Sequence, residues 1–321
     1  MLKQIFLFLI LILVPACLHA TTVSLEGNRW YIDGQITNPG SPAAGLLMNV
    51  RMVNSTFEDR NRTDFDSEAN TNRFLAKIPE YKSCGVNAFT LNLQGGFPNY
   101  EGALNSAFNP DGSLREEYIQ RVARVIEACD QQGLVVILGL FYQRQDQVLQ
   151  DEETVKDAVV NALQWIEKKQ YNNVVIEIAN EYSHGGFDHA ILRTPEGEVD
   201  LLRLARQTAP RLLLSTSGVG DGTLHEDLIQ AVDYLLIHFN NTKVQEIPAR
   251  IQKLQKYKKA IVCNEDDKVG EEGAQALRAS IAHGCSWGFM HSARNQYQPF
   301  EFLGIQDDPL VYAAFKQETN P

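Results

Sequence analysis

Two glutamates close two apolar runs of this chain. Val174-Val175-Ile176-Glu177-Ile178-Ala179-Asn180-Glu181 ends in an amide followed by an acid, and Ile261-Val262-Cys263-Asn264-Glu265 ends the same way. Short β-branched runs of this kind read as strands buried on both faces of a parallel sheet. Parallel α/β proteins gather their chemistry at the C-terminal ends of such strands. Two carboxyl groups facing one cleft suit cleavage of a glycosidic bond. One protonates the leaving oxygen, and the other acts on the anomeric carbon or on a water. Strand alternation puts Glu177 on the face of Glu181, where it reads as a hydrogen-bonded structural acid. It also sets Ile261 and Cys263 inward behind Glu265. Strict alternation turns Asn180 away from the cleft, so a substrate contact there requires a local bulge.

The remaining strand ends carry Asn49 and Arg51, Asn92 and Gln94, Tyr142 and Gln143, Ser215, His238 and Asn240, and Trp287 and His291. Amides and histidines hydrogen-bond hydroxyls, and an aromatic plane covers the apolar face of a sugar ring. Histidines and carboxylates do not cluster at metal-ligand spacing, so neither metal nor cofactor is expected. The G-x-S-x-G and G-x-G-x-x-G patterns are missing, which argues against a hydrolase serine elbow and a dinucleotide fold. Two other readings stay open. One is a barrel that binds glycan without cleaving it. The other is a metal-dependent hydrolase using Asp266, Asp267 and His238.

The elements that position these residues follow a regular beat. Thr22 to Ile36 alternates around Glu26-Gly27-Asn28 and predicts a β-hairpin. Strands are then expected at 45–51, 85–93, 135–141, 174–181, 212–216, 234–238, 260–265 and 286–291. Helical patterns lie between them, including one opened by a Ser113/Glu116 capping box. Eight strand–helix units predict an α/β fold, a closed (β/α)8 TIM barrel with a short N-terminal β-hairpin. No linker or repeat divides 21–321, which reads as one domain.

Composition narrows the partners. Forty acids against 29 bases give a formal charge of −11, a poor match to nucleic acid or anionic membranes. Lys3 followed by the apolar run Ile5 to Val14, with Ala20 at the cleavage position, reads as a signal peptide over 1–20. The mature chain is then expected to be exported, secreted or periplasmic, with no membrane span and as a monomer. Val14-Pro15-Ala16-Cys17 fits a lipoprotein box badly, so a lipid anchor on Cys17 is the weaker alternative. Cys84, Cys129, Cys263 and Cys285 read as small buried hydrophobes, although a Cys263–Cys285 disulfide is conceivable.

Ile176 to Glu181 resembles the fourth-strand signature of clan A glycoside hydrolases, above all the cellulase-like family 5. The hairpin with Gly27-Asn28 and Asp33-Gly34 is similar to the one before their barrels. Gly85-Val86-Asn87 looks like the start of their second strand. Val262 to Glu265 matches the position of their seventh-strand nucleophile, and Trp287 that of their eighth-strand platform. The resemblance implies a retaining β-glycosidase acting on an oligo- or polysaccharide, with Glu181 as acid/base and Glu265 as nucleophile. It further implies that Asn180 binds the 2-hydroxyl, His238 lines the cleft and Trp287 carries the ring. Asn49, Arg51, Asn92, Tyr142 and Asn240 complete the expected substrate contacts. The chain departs from the family at Thr90, where an arginine is usual and Arg51 could substitute. It departs again at Tyr182 in place of proline, and at Asn240 in place of a tyrosine that supports the nucleophile.

Overall fold

The computed structural model describes residues 20–95 and 102–321. The 1–20 segment read as a signal peptide, with Cys17 but apart from Ala20, and most of the Gly95 to Pro98 loop lie outside these residues. Three short strands come first: β1 (Val23–Glu26), β2 (Arg29–Ile32) and β3 (Gln35–Ile36), paired antiparallel in that order. The hairpin is thus extended by one strand. Gly27, at φ +63°, makes its first turn, a conformation glycine adopts without steric cost.

Eight parallel strands follow: β4 (Met48–Arg51), β5 (Ala88–Asn92), β6 (Val135–Phe141), β7 (Val174–Ala179), β8 (Leu214–Ser215), β9 (Leu235–His238), β10 (Ile261–Glu265) and β11 (Cys285–Phe289). They lie in the order β8-β7-β6-β5-β4-β11-β10-β9, and a bridge from Ser217 to Leu236 joins the two ends of the sheet. The result is the expected TIM barrel. Helices α1 (Ser67–Leu75), α2 (Ile78–Ser83), α3 (Glu116–Asp130), α4 (Glu152–Lys169), α5 (Pro195–Thr208), α6 (Glu226–Ala231), α7 (Ile247–Gln255), α8 (Gly270–Ala282) and α9 (Pro309–Thr319) lie between and after the strands. Asp151 caps α4 and accepts from Thr154 N at 2.9 Å. The Ser113/Glu116 box does not form. Arg115 is the N-cap of α3, and the Ser113 hydroxyl donates instead to Asp111 at 2.6 Å. Among the described residues no helix is long and apolar enough to cross a membrane.

The interior of the barrel is filled in tiers. At the N-terminal end Leu47, Ala88, Val135, Ile137, Val175, Tyr234, Leu236, Ala260 and Val262 make an apolar plug. Trp30 from the hairpin closes it from below, edge-on to Tyr234 with ring centroids 5.3 Å apart. Above the plug, Asn49, Thr90, Glu177 and Asn264 form a buried polar tier. Asn49 donates to Cys263 O, Thr90 donates to Asn49, and Asn264 donates to Glu177 Oε2 at 3.1 Å. Buried polar groups persist when paired in this way. The remaining core packs between barrel and helices, and there Ile261 and Cys263 correct the sequence reading. Both face the helices, because the pairing of β10 with β9 shifts register between Cys263 and Glu265 and breaks the alternation. The four described cysteines are free and buried, so Cys263 and Cys285 are not bridged.

Trp30 joins the accessory hairpin to the barrel plug. Truncating it should therefore cost global stability and leave the far end of the barrel intact. Trp30→Ala is expected to lose about 3–5 kcal/mol in urea unfolding. A loss below about 1 kcal/mol would show that the hairpin does not support the barrel.

Candidate active site

The third tier opens to solvent at the C-terminal strand ends. A cleft of about 380 Å³ lies there, lined among others by Tyr142, Gln143, Glu181, His184, Asn240, Glu265, Asp267, Met290 and Tyr297. Glu181 and Glu265 both face it. One carboxylate oxygen of each and a ring nitrogen of His238 lie within 4.8 Å of one another.

Glu265 reaches the cleft through the register shift in β10, which pairs it with His238. Its Oε2 lies 2.8 Å from Arg51 Nε, an ion contact rather than an aligned hydrogen bond, and its Oε1 accepts from the Asn240 amide. Burial alone would raise the carboxyl pKa. Arg51 first, then His238 and Asn240, outweigh it and hold Glu265 below the ordinary carboxylate range. Arg51 is fully buried. Burial would lower its pKa, but Glu265, Tyr142 and Glu177 more than compensate and drive it upward.

The same guanidinium organises the other acid. Arg51 Nη2 donates to Asn180 Oδ1 at 2.7 Å, and Asn180 Nδ2 donates to Gln143 at 3.0 Å. The extended backbone stops at Ala179, and Glu181 sits in the left-handed region at φ +51°. Alternation therefore no longer governs this corner, and both side chains turn to the site side. A non-glycine residue in that region stores strain and persists only when its surroundings fix it. Here the Glu181 amide donates to Ser217 Oγ at 2.9 Å. His238 Nδ1 lies 3.2 Å from Glu181 Oε1 and 3.8 Å from Glu265 Oε2. Burial favours neutral His238, but Glu265 and then Glu181 raise its pKa.

Arg51, Tyr142, Asn180, His238 and Asn240 thus gather around the two glutamates. Three expected contacts do not. Trp287 points outward from β11, fully buried; it stacks on Phe289, packs near Phe315 of α9 and donates to Asp266 Oδ2 at 2.9 Å. It cannot carry a sugar ring; Tyr142 and Tyr297 supply the aromatic surface of the cleft. Asn49 belongs to the polar tier beneath the site. Asn92 fills barrel space that Gly139 leaves open, where a Cβ would come within 2.4 Å of its Oδ1. Both are fully buried, out of reach of a substrate. Gln143 and Ser217, which hold Asn180 and Glu181, are positioning groups that strand-end polarity only partly foretold.

Asp266 is also removed as a candidate. It is buried against Lys268 Nζ at 2.8 Å and Trp287, so it does not form a metal site with Asp267 and His238. Glu181, His238 and Glu265 are the set among the described residues that could hold a cation. The Arg51 guanidinium on Glu265 places a positive charge where such an ion would sit, which opposes binding.

A family model described as cellulase (glycosyl hydrolase family 5) matches residues 55–214. That span contains Glu181 and stops short of His238 and Glu265. Among solved structures, a Bacteroides vulgatus protein provisionally described as a glycoside hydrolase is similar. It has a TM-score of 0.64 and 13% identity over 95% of this chain and 59% of its own. This chain therefore spans about three fifths of that relative. The endo-1,4-β-mannanase of Rhizomucor miehei gives 0.62 and 10% over 92% and 98%. A glycoside hydrolase family 5 protein of Bacteroides vulgatus gives 0.59 and 12% over 93% and 68%. No curated protein sequence matches the chain.

Removing the counter-charge tests this electrostatic arrangement. In Arg51→Met the Glu265 carboxyl is expected to titrate at higher pH than in the wild type, followed by ¹³C NMR of the side-chain carboxyls. Leaving Glu265 buried and unpaired should cost about 3–5 kcal/mol at neutral pH. Because the folded wild type depresses this pKa, the group's stabilising contribution is full above the ordinary carboxylate range. It is lost as pH falls through the lower folded value, and that acid-side loss should shrink in the variant. An unshifted titration would exclude Arg51 as the group that keeps Glu265 ionised.

Proposed function

Because the chain is a divergent, cellulase-like (β/α)8 glycoside hydrolase related to family 5, we propose that it cleaves β-linked glycans with retention, using Glu181 as acid/base and Glu265 as nucleophile. The observation that carries this reading is the close approach of the two carboxylates, one oxygen of each within 4.8 Å. Carboxyl groups about 5 to 5.5 Å apart suit a double displacement, whereas inversion needs about 6.5 to 9.5 Å to admit a water.

In the first step an oxygen of Glu265 bonds to the anomeric carbon as the glycosidic bond breaks. Glu181 gives its proton to the departing oxygen, with His238 Nδ1 3.2 Å away to share the charge. The product is a glycosyl ester on Glu265. In the second step Glu181 takes a proton from water, the water oxygen bonds to the anomeric carbon, and Glu265 leaves as a carboxylate. Arg51 and Asn240 favour the ionised Glu265 at the start and end of this cycle. Asn180, fully buried and fixed by Arg51 and Gln143, is a positioning amide at the strand end that carries Glu181.

The reading of an inactive glycan-binding barrel rested on the missing arginine and tyrosine of the family. Arg51 on β4 and Asn240 after β9 now pair with the nucleophile in their stead, which favours the enzyme. The 1–20 segment supports export of the mature chain, secreted or periplasmic, to act on an oligo- or polysaccharide.

On a panel of β-glucans, mannans, xylans and aryl glycosides, Glu265→Gln is expected to lower kcat by roughly 10³-fold or more. Proton NMR of the first-formed sugar should show the substrate's own anomer. An inverted product, or Glu265→Gln activity within tenfold of the wild type, would contradict the assignment.

A further inference from the structure

Behind the corner that carries Glu181 lies a carboxyl group that the proposed reaction does not use. Glu198, in the first turn of α5, is fully buried. Neither of its carboxyl oxygens has a hydrogen-bond partner of ordinary geometry among the described residues. Thr216, just past β8, is the polar side chain within its reach, and Glu177 of β7 is the charged group that acts on it. The phenol of Tyr182 is its other titratable neighbour, and that phenol also feels Glu196 and Asp221. Helix α5 packs against α4, α6, β7 and β8, and among the described residues no cation from these elements acts on Glu198.

An ionised carboxylate in this place would lose its water and gain no partner in return. The N-terminal end of a helix favours a negative charge, but by much less than such burial costs. Burial first, against a smaller pull from Thr216, and then Glu177 hold the pKa up at about 8. Glu198 is therefore the neutral acid at pH 7, with a proton to donate.

Thr216 has the place to receive it. Its hydroxyl donates to Ala179 O at 3.1 Å, so towards Glu198 its oxygen can only accept. The same oxygen takes the Ala179 N–H at 3.4 Å. Beside it, Ser217 N donates to Ala179 O at 3.2 Å, and Tyr182 N donates to Ser217 O at 3.0 Å. Glu181 N donates to Ser217 Oγ at 2.9 Å. The end of β8 thus grips 179–182 from behind, including Glu181 at its strained φ of +51°. A proton on Glu198 completes the grip. Without it, the Thr216 hydroxyl faces a carboxylate and must leave Ala179 to donate there.

We propose that Glu198 is a positioning residue: as the neutral acid it donates to Thr216 and locks the corner that aims Glu181, and as the carboxylate it draws the Thr216 hydroxyl from Ala179 and loosens that corner. The effect on catalysis rests on the glycosidase reading, whereas the lock itself does not.

The first test reads the lock without activity, by NMR of the mature protein carrying ¹³C at its glutamate carboxyls and ¹⁵N in its backbone. The Glu198 resonance, assigned by its loss in Glu198→Gln, is expected to titrate with a midpoint near pH 8. The Ala179 and Glu181 amides should shift with that same midpoint, and Glu198→Gln, which cannot ionise, should lack those steps. An Ala179 amide that stays flat, or that keeps the step in Glu198→Gln, would overturn the lock. So would a Glu198 carboxyl that titrates in the ordinary range. Urea unfolding gives a second reading. The folded pKa lies above the unfolded one, so wild-type stability should fall as pH rises from the ordinary carboxylate range to about 8, then level off. Glu198→Gln should show a smaller fall, and equal falls would exclude a neutral Glu198. In glycosidase assays at pH 6, Glu198→Met is expected to lower kcat about tenfold with KM little changed, as for a misaimed acid, and Glu198→Gln to restore most of it. Wild-type kcat in Glu198→Met would overturn the positioning role. If the protein cleaves no glycoside, the NMR steps alone decide the lock while the hydrolase reading falls.

Discussion

The buried contact between Arg51 and Glu265 is the constraint on which the rest of the site depends. An arginine and a glutamate so far from water incur a large desolvation penalty, which their mutual attraction offsets only with good geometry and further partners. The barrel provides both. Arg51 also holds Asn180, Asn180 holds Gln143, and Asn240 takes the second oxygen of Glu265. One guanidinium therefore links the ends of β4, β7 and β10. The result is a carboxylate whose pKa is held down in a place where burial alone would raise it.

The tiers beneath explain why this network can be rigid. The apolar plug with Trp30 seals one end of the barrel, and the polar tier of Asn49, Thr90, Glu177 and Asn264 grades from grease to charge. Two glycines make the grading possible. Gly139 leaves room for Asn92 and Gly288 for Asn49, since a Cβ at either would collide with the amide opposite. Specific core packing thus extends upward into the chemistry, and the acids stand on a floor with little room to move.

Much of this was legible in the sequence. Eight short, largely apolar runs separated by helical periods predicted the barrel, and an acid at the end of two of them marked the cleft. Arg51 and Asn240 stood out because they were the polar groups nearest to two departures from the family pattern. The misreadings concern phase and depth along the strands. Trp287 falls on the outward face of β11, and Cys263 and Ile261 face outward because β10 shifts register just before Glu265. Asn49 and Asn92 have the right face but stand one step too deep. Neither a register shift nor the left-handed turn at Glu181 leaves a mark in residue type, since each is set by partners far away in the chain.

The most direct measurement is a trapping experiment. A 2-deoxy-2-fluoro glycoside of the sugar this chain cleaves, with a good leaving group, slows the second step and leaves the first-formed ester intact. Peptide mapping by mass spectrometry then locates the label. The account predicts a single covalent sugar on Glu265, and its loss in Arg51→Met, where the carboxylate is no longer held ionised. A label on Asp267 or Glu181, or turnover without any labelled peptide, would contradict it.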